Sequence, residues 1–198
     1  MELKQRLANQ RGQSLVEFAL IMPFILLVAL GVIEVSYALL DQHVVTKLSR
    51  EGSNLISRDV TITDAVTALR TMSTRPVDFT AANRSRIIFT VLRRAGTVGT
   101  PNYNTVIAYQ RYSFGGLTGV QSVLQTAGNG AYNGGPNYEA VNADTDTRIQ
   151  VPTLPANLTL TLNGTLYVTE IFTRHDLITP LSGFGVTVPS TLYSIAYF

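Results

Sequence analysis

Residues 18–33, FALIMPFILLVALGVI, form an uninterrupted apolar run without a charge, and Val35 to Leu40 extend it past Glu34. No other segment of the chain restricts its fold so tightly. As an α-helix, Phe18 to Leu40 rises about 35 Å at ~1.5 Å per residue, against a bilayer hydrocarbon core of ~30 Å. Eleven of the first sixteen residues are Leu, Ile, Phe or Val. Together they favour insertion by about −3 to −7 kcal/mol. That is enough to hold one carboxylate, Glu17, at the end of the segment. Lys4, Arg6 and Arg11 all precede the run, and from Gln13 onward acidic and basic residues balance. The positive-inside rule then puts residues 1–12 in the cytoplasm and the chain beyond Leu40 outside.

Composition narrows the function. Charged residues are 14% of the 198, roughly half the share of an ordinary soluble domain. The net charge of +2 comes from the N-terminal dozen residues and is no nucleic-acid signal. There is no cysteine and there are two histidines, His43 and His175. Thiol nucleophiles, disulfides and cysteine-based zinc sites are excluded. Nothing nominates a nucleophile, an acid–base pair or a metal cluster, so the expectation is a non-enzyme with no cofactor.

Beyond the apolar run, Val44, Val45, Leu48, Leu55 and Ile56 keep helical spacing through Ser57. Gly52 weakens that helix by about 1 kcal/mol relative to Ala without ending it. A second helix is expected over 64–74, capped by Thr63 or Asp64 and ended by Arg75-Pro76. Arg86–Arg94 and Asn104–Phe114 read as strands from their β-branched and aromatic content. Glycines cluster between Gly115 and Pro136, which marks a long loop region. Residues 158–172 read as a hairpin turning at Asn163-Gly164, in a bulged register that pairs Leu160 with Leu166 and Leu158 with Val168. Thr191–Phe198 is a candidate last strand. The expected class is α+β, a long membrane-spanning helix followed by a small antiparallel sheet. The outer half of the helix is available to cover the sheet's apolar face.

Glu17 now acquires a reading. A cut after Gly12 makes glutamate the fifth residue of a chain beginning Gln13-Ser14-Leu15-Val16-Glu17-Phe18, followed by an apolar helix. That arrangement resembles type IV prepilins. The run from Val16 to Leu40, with SREGS at 49–53, is similar to the TadE-like minor pilins of tight-adherence (Tad) pili. Gly12, Glu17, Phe18, Pro23, Gly31, Glu34, Arg50, Glu51 and Gly52 carry the resemblance, which covers residues 11–53. It implies a leader over 1–12, an assembly helix over 13–57 and an external pilin-like domain over 58–198. It implies cleavage between Gly12 and Gln13 by a prepilin peptidase. It also implies that Glu17 neutralises the α-amino group of a neighbouring pilin. The implied partners are major and minor pilins, an inner-membrane assembly platform and membrane lipid. The implied place is the bacterial inner membrane, with the outer domain external. Phe18 departs from the tyrosine that follows the glutamate in the major Tad pilin, and the chain is too long for that subunit.

Other readings stay beside this one. Pro23 should kink the helix near Ala19, as a tolerated membrane proline or as a bend used in assembly. Glu34, about 25 Å beyond Glu17 along the axis, reads as a solvated interfacial charge or as one half of an ion pair. Gly31 and Ala38 allow close helix packing. Arg84, Arg86, Arg93 and Arg94 with Tyr103, Tyr109 and Tyr112 read as strand ends in solvent before they read as a nucleic-acid surface. Asp144 and Asp146 lack the full calcium-loop pattern. His175-Asp176 reads as structural. A single-pass anchor for an external sensor or adhesin domain is the alternative function, and a secreted protein cut after Ala38 is another.

Overall fold

The computed structural model describes residues 2–155, 158–180, 183 and 190–198, with side chains from Gly12 onward. The charged residues Lys4, Arg6 and Arg11, and Asn157, which opens an Asn-x-Thr sequence, lie outside the described side chains. Among the described residues, two α-helices and four strands follow in order, with a 3-10 turn at Thr147–Ile149: α1 (Glu2–Ser57), α2 (Ile62–Met72), β1 (Ser85–Arg94), β2 (Val106–Phe114), β3 (Thr165–Arg174) and β4 (Thr191–Tyr197). The class is α+β, as expected. Residues 1–40 with 176–189 form one compact unit, and residues 41–175 with 190–198 form the other.

In the second unit the strands make one antiparallel sheet in the order β2-β1-β3-β4. Alternate residues Ile87, Phe89 and Val91 of β1, with Ile171 of β3, face Val45, Leu48 and Ile56 of α1 and Ile62, Ala65, Val66 and Leu69 of α2. The expected cover for the sheet is therefore realised. The opposite face is buried too. Ile88, Leu92, Val168 and Phe172 pack under Leu117, Leu124 and Val151 of the excursion between β2 and β3. A strand covered on both faces has no polar side, which is why β1 reads as a nearly continuous apolar run.

Two local expectations are corrected. α2 begins at Ile62 rather than Asp64, with Thr61 as its cap. The Asp64 amide donates to Thr61 Oγ1 at 3.2 Å and that hydroxyl donates to Asp64 Oδ2 at 2.7 Å. The Thr61 hydroxyl thus caps the third amide of the helix, and Asp64 lies inside the first turn. The helix stops at Met72, ahead of Arg75-Pro76. The 158–172 hairpin is also absent. The turn at Asn163-Gly164 exists, with the Gly164 amide on the Thr161 carbonyl at 2.8 Å. But β3 pairs with β1 on one edge and β4 on the other, so Leu166 lies opposite Leu92 and Val168 opposite Tyr197. Both edges are taken, and residues 158–162 have no ladder to join.

Buried charge sits under the second face. Glu170 is fully buried. Its carboxylate accepts from Ser122 Oγ, from the Val123 amide at 2.8 Å and from Tyr193 Oη at 3.0 Å. Burial, and then the Glu170 charge, hold the Tyr193 phenol well above the ordinary tyrosine range. In an unfolded chain that phenol loses its proton near pH 10, while the folded chain keeps it. The folded state then binds more protons, so stability falls as pH rises above about 10 and is unaffected below. Tyr193→Phe should make the alkaline decline of the thermal midpoint shallower. Tyr132 and Tyr197 are displaced in the same direction and retain part of the decline. An unchanged slope between pH 9 and 11 would contradict this assignment.

Candidate functional site

The residues that carry the family resemblance fall into two groups along α1. The first lies in the membrane-length half. Large apolar side chains from Leu15 to Leu40 are exposed around the helix, Leu15 and Phe24 at 71% and Val28 at 67%. A helix apolar on all sides is covered by protein or by lipid, and this one is long and apolar enough to span a membrane. Gly12, Glu17 and Phe18 lie on its exposed surface. Gln13 Nε2 donates to Glu17 Oε1 at 3.0 Å, one helical turn away. The helix continues through Pro23. A methyl group added at Gly31 would meet nothing within 4 Å, so this small residue opens a shallow site toward any neighbouring helix.

Glu34 is a correction. It is 2% exposed and not solvated. Its carboxylate accepts from the Ile178 amide at 3.2 Å, from the Thr179 amide at 2.9 Å and from Thr179 Oγ1 at 2.7 Å. Donors converging on a carboxylate make charge-assisted hydrogen bonds, stronger than neutral ones. They tie a segment 144 residues away to the outer end of the apolar run. Glu34→Leu should leave two amides without an acceptor, at a cost of about 1–3 kcal/mol each where water cannot replace it. Amide exchange at residues 178 and 179 should then accelerate while the sheet's amides stay protected. Unchanged exchange at 178 and 179 would show that the carboxylate does not hold the segment.

The second group is SREGS, residues 49–53. Ser49, Gly52 and Ser53 are buried, Arg50 is exposed and Glu51 is partly exposed. The three small residues share the helix face that meets the sheet. Ser49 Oγ lies 2.8 Å from Ser194 Oγ, and Ser53 Oγ donates to the Ala196 carbonyl at 3.0 Å. Gln42 Nε2, one heptad before Ser49, donates to the Tyr193 carbonyl at 2.9 Å. A row of polar side chains thus fastens α1 along β4. Between them, Gly52 lets the helix approach β3. A methyl built on it would lie 2.7 Å from Thr169 Cγ2 and 3.2 Å from Leu69 Cδ1. The sequence pointed to Gly52 through the family likeness; its physical role emerges only from this contact.

Several of the remaining sequence candidates are engaged within the chain. His175 Nδ1 lies 2.8 Å from Asp41 Oδ2 and its ring is buried, a structural place. The Arg93 guanidinium sits 3.8 Å over the Tyr109 ring and Tyr112 stacks on Tyr138 at 3.9 Å. Arg94 donates to the carbonyls of Leu160 and Asn104. Asp146 accepts two side-chain bonds from Arg148, and Thr97 donates to Asp144. Among the described residues no group of three or more His, Cys, Asp or Glu could hold a metal.

Residues 12–54 match the family model described as TadE-like protein. No curated protein and no solved structure matches the chain. The family match covers both groups just described, the exposed apolar half of α1 and the buried small-residue face at 49–53. It associates the chain with Tad pili, and the apolar helix with a membrane anchor.

Proposed function

We propose that this chain, TadE-like over its first helix, is a minor pilin of a Tad-type pilus and not an enzyme. The observation that carries the reading is an exposed apolar helical run with Gly12 ahead of it and Glu17 five residues beyond that glycine. A prepilin peptidase hydrolyses the Gly12–Gln13 bond on the cytoplasmic side. The new carboxylate leaves with the leader, and the new α-amino group stays on Gln13. The subunit remains anchored by residues 18–40, with its sheet domain outside the inner membrane. It enters the pilus, or its assembly platform, beside major and other minor pilins, and contributes to surface adherence.

Glu17 gives this reading its energetic logic. An ionised carboxylate costs about 2.5–3.5 kcal/mol at the centre of a membrane helix on insertion scales, and Glu17, at the edge of the apolar run, carries only part of that cost. In the isolated chain the Gln13 amide satisfies one oxygen at 3.0 Å. A neighbour's α-ammonium is a stronger, charged donor. Exchanging the first partner for the second favours the one axial stagger that brings them together. Gly31 and the exposed apolar band supply the packing surface.

The test is the intact mass and N-terminal sequence of the protein purified from its own host's membranes. A chain that begins at Gln13, with or without N-methylation or cyclisation of the glutamine, is expected. A chain that begins at Met1 would leave a plain membrane anchor for an external domain, and one that begins at Leu39 a secreted protein. Either would overturn the pilin reading.

A further inference from the structure

The face of the sheet turned away from α1 carries a cleft of about 490 Å³. Its floor is β1 and β2, through Arg86, Ile88, Arg111 and Ser113, and its wall is the segment from Gln121 to Tyr132. The volume lies within the ~300–1,000 Å³ range of small-molecule sites. The wall is rich in hydroxyl and amide groups, including Gln125 and Asn129. Ile88 supplies an apolar patch on the floor.

The polar groups here are unusual in what they lack. Of the half-buried arginines on these strands, Arg93 stacks on Tyr109 and Arg94 holds two carbonyls. Arg86 and Arg111 have no side-chain hydrogen bond or ion pair among the described residues. Arg86 Nε is fully shielded from solvent and unpartnered, and so is Tyr132 Oη. Leaving such donors unmet costs free energy. The nearby carboxylates do not meet them. Glu170 is occupied by Ser122, Val123 and Tyr193, and Asp146 by Arg148. Burial raises the Tyr132 phenol above its ordinary range, against the pull of Arg111, so it stays a neutral donor at physiological pH.

We propose that this cleft binds an acidic saccharide, its carboxylate held by Arg86 and Arg111 and its hydroxyls by Ser113, Gln125, Asn129 and Tyr132. Guanidinium groups match a planar carboxylate in a way that hydroxyl and amide groups do not. A sugar ring offers both the hydroxyls that such a wall recognises and a C–H face for Ile88. The space accommodates about one or two rings. This inference stands independently of the pilin reading, since it concerns the sheet domain alone.

The test is calorimetric titration of the full chain in lipid nanodiscs, free of glycoside detergents. The probes are a uronic-acid disaccharide, the neutral disaccharide of the same linkage, and inorganic phosphate. The uronate should bind about ten-fold or more tighter than either other probe. Arg86→Gln and Arg111→Gln should each weaken it about ten-fold or more with the thermal midpoint retained. Arg111 is half-exposed, so its variant keeps the test open if Arg86→Gln perturbs the fold. Equal affinity for the neutral sugar or for phosphate would overturn the proposal. So would no binding, or uronate binding that survives Arg111→Gln.

Discussion

A chain carrying Glu17→Val is expected to insert, to be trimmed to Gln13, and to be missing from filaments. Insertion should if anything improve, because a charged residue at the edge of the apolar run is replaced by one that favours hydrocarbon. On the proposed reading, what disappears is the acceptor for a neighbour's α-ammonium. Removing one partner of a poorly solvated ion pair typically costs about 3–5 kcal/mol, which corresponds to a loss of more than about hundred-fold in the equilibrium for incorporation. Glu17→Gln separates charge from shape. It keeps the length and can still bond to Gln13, yet it offers no negative charge. Immunoblots of sheared surface pili against membrane fractions read both variants. Filament incorporation at the normal level by Glu17→Val would remove the assembly role from this residue. Normal incorporation by Glu17→Gln alone would show that hydrogen bonding suffices.

Gly52→Val should unfold or severely weaken the sheet domain. The added Cβ would lie 2.7 Å from Thr169 Cγ2, inside the layer where α1 meets the sheet. Thr169 is fully buried and its Oγ1 has no partner. Its β-branched side chain has few rotamers to retreat into. Overpacking of this kind costs about 1–3 kcal/mol for a small insertion, and valine adds two further methyls. A loss of about 3 kcal/mol or more would consume a large part of the ~5–15 kcal/mol that keeps a domain folded. Gly52→Ala is milder, because alanine recovers about 1 kcal/mol of helix propensity. Combining it with Thr169→Ala should restore stability beyond the sum of the single changes, with a coupling of about 0.5–3 kcal/mol. Thermal denaturation of the four chains closes the cycle. Strict additivity would mean that the helix does not touch β3 at this point.

The helix was readable because its signals are local. The apolar run, the basic residues before it and the spacing of Val45, Leu48 and Ile56 all lie within one segment. The strands β1, β2 and β4 were readable for the same reason. What failed depends on distant partners. Nothing near Glu34 announces that the amides of Ile178 and Thr179 will meet it, so the nearer reading, a solvated charge, was the natural one. The 158–172 segment had an adequate turn, but the sheet order assigned both edges of β3 to other strands. Glu170 could have been noticed, since a carboxylate beside Ile171 and Phe172 in a strand must either break the pattern or be bonded. The cleft was beyond reach, because Arg86 and Arg111 come together with Tyr132 only through the β1–β2 pairing and the fold of the excursion.

The polar row on α1 has a bearing on how the chain matures. Ser49 meets Ser194 across 145 residues, and Ser53 meets Ala196 across 143. Contacts so far apart in sequence form late, after the loop-closure entropy of the intervening chain has been overcome. Until β4 docks, then, the row of Gln42, Ser49 and Ser53 has no partner on the sheet, and the Gly52 notch stays open until Thr169 of β3 fills it.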